Sequence, residues 1–296
     1  MFYRRKLILA LLEAFRGKTD RLMFQKLLFI LNTRLDSPVY HFLPYKYGCF
    51  SFQANSDLLT LEKQGFVTAD KQNISANENE SWLFSLDDRD KLKVKKLADD
   101  FKDFTTDDLI NYTYKNYPFY AIRSTIIDKH LDDEGIKKVE AAKSKETSPA
   151  LFTLGYEGLS IEQYINVLLK HNIQLLVDVR KNAMSMKYGF SKKTLQTACE
   201  TVGIIYEHYP ELGIVSDKRK NLETQADYDT LFAEYRNTVL KETVPVQITL
   251  CKKIETMRRA ALLCFEKKPE MCHRSHLSGA LMNYFTATIQ LQHIHS

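Results

Sequence analysis

The chain has 296 residues, 44% of them hydrophobic and 27% charged, and a formal net charge of +5. This is length enough for two domains and the composition of a soluble globular protein, which argues against disordered, fibrous or membrane-spanning classes. The mild positive charge permits nucleic-acid binding without arguing for it, because only a clustered basic face would do that.

Arg4, Arg5 and Lys6 precede an apolar run that Glu13 interrupts after six residues, so the N-terminus reads as an amphipathic helix and not as a signal peptide. No stretch approaches the roughly 18 apolar residues of a membrane span. Five cysteines without a paired spacing pattern suggest reduced thiols, and a cytoplasmic protein is expected. Helical periodicity covers 2–15 and returns in "DRLMFQKLLFIL", with Gly17 as a stop and Thr19 or Asp20 as a cap between them. An aromatic, extended "YHFLPYKYGCFS" and a third helix ending at Gly65 follow. "FVTAD" and "SWLFSL" then read as two strands joined by "KQNISANENE". Three helices and a hairpin predict a winged-helix-like domain over 1–86. Residues 87–147 read as a charged helical linker region, and "KKVEAAKSKETSP" is its most linker-like part.

From residue 148 to 296 strands and helices alternate. "LFTLGYEG", "IQLLVDVR", "IIYEHYPELG" and "ALLCFE" read as strands, separated by helices that begin at Ser160, at Ser191 and in "YDTLFAEYRNTVL". A last helix opens near Cys272. Alternation of this kind predicts an α/β domain, a mainly parallel sheet with helices on both faces, whose ligands sit at the carboxyl ends of the strands.

Those strand ends carry Tyr156 and Glu157, Asp178 and Arg180, Glu211, and Cys264 with Glu266 before the Cys272-His273-Arg274 turn. Three chemistries compete there. Zinc is disfavoured, since Cys264-x7-Cys272-His273 lacks the usual ligand spacing and neighbours on a helix point apart; no metal and no cofactor is assigned. Cys272 beside His273 and Arg274 at a helix start could be an activated thiolate, although a small buried cysteine is the commoner outcome. The anion pocket is the strongest of the three. Arg274 near free backbone amides and Arg180 on a neighbouring strand could clamp a phosphate, with Tyr156 and Asp178 beside them. The plain alternative has both arginines paired with local carboxylates. Glu157 and Glu266, with Cys272 and His273, are the candidate catalytic residues, a partly buried carboxyl being suited to acid/base work.

The segments "LGYEG", "LLVDVRKNAMSMKYGFSKKTL", "GIIYEHYPELG" and "LLCFEKKPEMCHRSHLSGAL", in this order across about 150–285, resemble the domain-of-unknown-function-488 family. Ala183 stands where its members usually carry proline, and Ile214 where they often have a second glycine. The resemblance implies an α/β domain with Tyr156, Glu157, Asp178, Arg180, Cys264, Glu266, Cys272, His273 and Arg274 at its site, and it implies no particular reaction. "FQKLLFIL" and "FLPYKYGCFS" resemble a winged-helix-like or antitoxin-type module, found in bacterial defence and DNA-associated systems.

Two functions are therefore expected. In the first, a DNA-associated, defence-type protein binds a phosphate-bearing ligand such as a nucleotide or nucleic acid in its α/β domain and hydrolyses it. Arg4, Arg5, Lys6, Arg21 and Lys26 would contact DNA or RNA. In the second, the α/β domain senses a ligand without turnover, and the N-terminal domain docks a protein or a second copy of the chain as a homodimer. No membrane partner is expected.

Overall fold

The two N-terminal apolar stripes form α1 (Tyr3–Ala14) and α2 (Arg21–Arg34), joined by the short strand β1 (Lys18–Asp20). Asp20 ends the strand and caps α2, its carboxylate accepting from the Leu22 and Met23 amides. The structure is a computed structural model that describes residues 1–77, 81–219 and 222–295. It divides into two units, 1–143 and 144–296.

The first unit continues through a two-stranded ribbon, β2 (Leu43–Tyr45) and β3 (Gly48–Phe50), then α3 (Phe52–Lys63), β4 (Val67–Ala69) and β5 (Asn73–Ala76). Strands β1, β5 and β4 form an antiparallel sheet in that order. The hairpin is tighter than the sequence suggested. Asp70 takes the Gln72 and Asn73 amides on its side chain, turning the chain at once and burying Ile74. "SWLFSL", expected as the second strand, instead forms a 3-10 turn over Trp82–Ser85. Residues 78–80 of the intervening loop lie outside the described residues.

The region read as a linker is built into this unit. Helices α4 (Asp88–Phe101), α5 (Thr106–Asn116), α6 (Ile127–His130) and α7 (Asp133–Ala141) follow. Val94, Leu97, Phe101 and Leu109 join the same buried cluster as Leu7, Leu28 and Phe29. A stripe of large apolar side chains on a charged helix is enough to dock it, whatever its overall composition.

The second unit is the expected α/β fold. Its strands are β6 (Ala150–Gly155), β7 (Leu175–Asp178), β8 (Ile205–His208), β9 (Arg259–Cys264) and β10 (Gln290–His293). All pair in parallel, in the order β10-β6-β9-β7-β8. The connecting helices are α8 (Ile161–Lys170), α9 (Lys192–Thr201), α10 (Gln225–Asn237), α11 (Val239–Glu242), α12 (Val244–Met257) and α13 (His273–Leu281). Leu151, Val177 and Leu262 pack beneath α10, α12 and α13, while Tyr164 of α8 packs on Phe190 across the opposite face. Ser160 caps α8 in a reciprocal box with Gln163. The β8 strand is shorter than expected, because Pro210 turns the chain into a 3-10 segment, Pro210–Leu212. Helix α12 and strand β10 were not anticipated.

The basic N-terminal residues are largely held inside the first unit. Arg4 Nε and Arg5 Nε reach the buried Asp57 at 2.5 and 2.7 Å, and Tyr40 donates to the same carboxylate at 3.0 Å. Burial opposes the charge on Asp57, but the two arginine hydrogen bonds outweigh it and lower its pKa. The resulting stability is present above the ordinary aspartate range and lost as pH falls through the lowered folded pKa. Asp57→Ala should therefore destabilise this unit by about 1.5–3 kcal/mol, the scale of hydrogen bonds to a charged group, since the two arginines left behind are part-exposed. It should also flatten the acid limb of stability, which denaturant melts from neutral pH downward would show. A loss under about 1 kcal/mol would mean that the pairs contribute as weakly as surface ones.

Candidate functional site

Polar side chains collect where the parallel strands end, and the pleat sends them to opposite faces of the sheet. Asp178 and Arg180 alternate with Val177 and Val179, which belong to the core under α10, α12 and α13. The two charged residues therefore face α8 and α9.

On that face Arg180 closes onto the carboxylate two residues earlier. Its Nε and Nη2 lie 2.8 and 2.5 Å from the two Asp178 oxygens, and its own amide donates to Asp178 at 3.1 Å. Its Nη1 donates to Tyr156 Oη at 3.0 Å and to the Phe190 carbonyl at 2.9 Å. Tyr206 Oη donates to Asp178 at 2.6 Å, and the Tyr156 ring stacks on Phe190 at 4.2 Å. His208 meets the Arg180 carbonyl at 2.8 Å. A bidentate buried pair this fully hydrogen-bonded ties the ends of β6, β7 and β8 together.

The second group lies on the face of α10, α12 and α13. Cys264 ends β9 and Cys272 is the N-cap of α13, with the extended angles φ −137° and ψ 136°. Neighbours on a helix, as Cys272 and His273 were expected to be, would point apart. Because Cys272 is still extended, both side chains reach the same space. Cys264 Sγ, Cys272 Sγ and His273 Nδ1 all lie within 4.8 Å of one another, and all three residues are buried. The other imidazole nitrogen, Nε2, lies 3.0 Å from the Val179 carbonyl and must donate to it. Nδ1 is then left as the lone pair facing the two sulfurs.

Arg219 and Glu266 complete the group. Arg219 Nη2 lies 2.7 Å from His273 Nδ1 and 3.7 Å from Cys264 Sγ, and its Nη1 pairs with Glu266 at 2.9 Å. The Cys264 thiol donates to Glu266 Oε2 at 3.2 Å when protonated. Burial pushes Cys264 up, but the Cys272 hydrogen bond, His273 and Arg219 outweigh it, so its pKa falls well below an ordinary thiol. Burial and the neighbouring Cys264 push Cys272 well up. Burial, with Cys264 second, also raises the Glu266 carboxyl. One sulfur is thus disposed to be a thiolate and its neighbour a thiol that donates to it.

Arg274 is fully buried and spends its guanidinium on the backbone of the loop after β9. Nη1 donates to the Glu266 carbonyl and Nη2 to the Lys267 carbonyl at 3.0 Å, while Nε has no hydrogen-bond partner among the described residues. Gly155 admits this loop, since a Cβ there would stand 1.8 Å from the Glu266 carbonyl oxygen and 3.1 Å from Arg274 Nη1. Glu157 braces the same loop by accepting the Lys267 amide at 2.9 Å.

Arg180 and Arg274 consequently share no hydrogen-bond partner among the described residues, and each guanidinium is engaged by its own neighbours. Among the predicted catalytic residues, Glu266, Cys272 and His273 come together, while Glu157 lies to the side. In the first unit, Arg21 Nε donates to the Asp70 carbonyl at 2.7 Å. Lys26, expected at a nucleic-acid surface, is fully buried with its ammonium on the Tyr47 carbonyl and 3.7 Å from Cys49 Sγ. Burial lowers its pKa. Lys6 on α1 lies at intermediate exposure. Arg219 and Tyr206 were missed. Tyr206 sits mid-strand like any core tyrosine, and Arg219 lies in the charged stretch "SDKRKN", which has no periodicity to mark it.

Arg180→Ala should strand the buried Asp178 and destabilise the α/β unit by about 3–5 kcal/mol, with Arg180→Lys recovering only part because the fork is lost. Equal denaturation midpoints for wild type and Arg180→Ala would refute this reading of the pair.

No curated protein matches the chain. From the N-cap of α8 to the end of α13, residues 160–281 match the family model described as Domain of unknown function DUF488, and this segment contains both the Asp178–Arg180 pair and the Cys264–Cys272–His273 group.

Proposed function

We propose that the α/β unit binds a phosphate-bearing ligand, a nucleotide or nucleic acid, at the carboxyl edge of its sheet and hydrolyses it with Glu266 as the acid/base. The observation that carries this is a cavity of about 290 Å³ in the second unit, whose lining sets Lys181 and Lys218 beside Glu211, Glu234, Glu242 and Tyr235, with Lys218 paired to Glu234. The Tyr235 ring lies 5.5 Å from the His273 ring, so the cavity adjoins the buried thiol and imidazole group. Lys187, Lys267 and Lys268 lie on loops that follow the strands, and with Lys181 they are the cations that a phosphate at this edge would draw on. Glu266, whose side chain is 21% exposed, stands between the buried group and solvent.

The first unit is proposed to be winged-helix-like and DNA-associated, in a defence-type setting. The support is its order of helix, strand, helix, two-stranded ribbon, helix and hairpin, with β1 paired to β5. A second reading makes it a protein-docking or dimerising module beside a non-catalytic sensor. The engagement of Arg4 and Arg5 by Asp57, and the burial of Lys26, favour that alternative.

The test is a panel of nucleoside phosphates and of single- and double-stranded oligonucleotides, assayed for binding and for turnover. Lys181→Ala should weaken the ligand by about 1.5–3 kcal/mol, the scale of a hydrogen bond to a charged group. Glu266→Gln should lower turnover by about 10²–10⁴-fold with binding retained. Binding without any turnover would favour the sensor. No binding of any phosphate compound by the folded chain would sink both forms.

A further inference from the structure

Cys264, Cys272 and His273 are spaced and oriented as a ligand set. In a tetrahedral zinc shell, bond lengths of about 2.3 Å to sulfur and 2.0–2.1 Å to nitrogen put neighbouring donors about 3.5–3.8 Å apart. Here His273 Nδ1 lies 3.6 Å from Cys264 Sγ and 4.0 Å from Cys272 Sγ, and the two sulfurs lie within 4.8 Å of each other. Only small side-chain motions separate this arrangement from coordination.

The surroundings agree. A metal-binding imidazole usually donates its second nitrogen to a carbonyl or carboxylate, which fixes ring and tautomer. His273 Nε2 does so to the Val179 carbonyl. The donors sit on three rigid points: the end of β9, the extended N-cap of α13 and its first residue. Arg219 supplies the cation this nest already attracts, with its guanidinium against Nδ1, Cys264 Sγ and the Glu266 carboxylate. Its side chain is 26% exposed, so it can withdraw toward solvent and leave the donors to another cation.

We infer that Cys264 Sγ, Cys272 Sγ and His273 Nδ1 bind one divalent transition metal of the zinc class, with the fourth position facing Glu266 and solvent. Soft thiolates with an imidazole select zinc, cobalt and their neighbours over magnesium or calcium. Binding releases the protons still held by the two thiols, and Arg219 leaves the centre while keeping its carboxylate partner. Three protein donors and an outward fourth position make an open site of the catalytic kind. The binding itself does not rest on the hydrolytic function proposed above.

Cobalt(II) titration of the full chain, purified and stripped of metal, tests the inference. One equivalent should produce thiolate-to-cobalt charge-transfer absorption with intense tetrahedral d–d bands, and zinc should displace it. Cys272→Ser should cut the charge-transfer signal to half or less, since only the Cys264 thiolate remains, Glu266→Gln should keep it, and Arg219→Gln should tighten binding by removing the competing cation. X-ray absorption of the zinc-loaded wild type should show two sulfur neighbours at about 2.3 Å and nitrogen or oxygen at about 2.0 Å. This spectrum decides the matter even if Cys272→Ser does not fold. Zinc bound without sulfur neighbours, or no stoichiometric cobalt binding by the folded wild-type chain, overturns the inference. A metal-loaded chain inert toward every phosphate compound would refute the hydrolytic function and leave the metal site standing. Undiminished hydrolysis by chain shown free of metal would leave the site without a part in turnover.

Discussion

The missing side chain at Gly155 is the constraint on which the chemistry-bearing half of the second unit depends. The Glu266 carbonyl occupies the space a Cβ would take, so the loop leaving β9 can fold flat across the end of β6. That path presents two carbonyls to Arg274, brings the Lys267 amide to Glu157, and delivers Cys272 to the end of β9 in an extended conformation. Without the close approach, α13 would start elsewhere and the sulfurs would not face the imidazole. A backbone contact thus governs a side-chain constellation, which is why glycine at a strand end carries more information than its size suggests.

The sheet places a second constraint on charge. Its carboxyl edge holds Asp178, Arg180 and Arg274 almost wholly out of water, and each is tolerated for a different reason. Asp178 and Arg180 neutralise each other in a bidentate pair, with Tyr206 and Tyr156 taking remaining hydrogen-bonding capacity. Arg274 is held by carbonyl dipoles instead, and one of its nitrogens has no hydrogen-bond partner among the described residues. Buried charge is costly and does more to specify geometry than to add stability. The edge is therefore a place where side-chain positions are tightly set.

Much of the α/β fold was legible, because a parallel sheet covered on both faces makes apolar strands and amphipathic helices alternate, and Ser160 and Gly203 punctuate them. Strand β10 was not, since "QLQH" is short, polar and mostly exposed at an edge and carries no burial signal. Helix α12 hides behind β-branched Val244, Val246, Ile248 and Thr249, whose propensity leans away from helix until packing overrides it. The residue types of the candidate site were readable and their arrangement was not. Two-residue periodicity predicts which strand residues share a face, and applied to Val179–Arg180 it would have turned Arg180 toward its own aspartate. No local pattern reveals that Cys272 precedes the first helical turn instead of joining it. The N-terminal cations show the same limit from the other side: sequence displays Arg4, Arg5 and Lys26 as a basic cluster, and tertiary structure spends them on Asp57 and a backbone carbonyl.

The strand order of the α/β sheet also bears on how it assembles. Strand β6, the first of the five in the chain, lies between β9 and β10, the last two. Its neighbours emerge from synthesis more than one hundred residues later, so its backbone donors and acceptors wait for nearly the whole unit before they pair. Pairings of such large sequence separation form slowly and leave apolar strand surface exposed meanwhile. The first unit, whose sheet closes within residues 18–76, faces no comparable delay. A nascent chain would then carry a finished helical unit ahead of an open β6, and the interval before β9 arrives is when this protein is most exposed to mispairing with other strands.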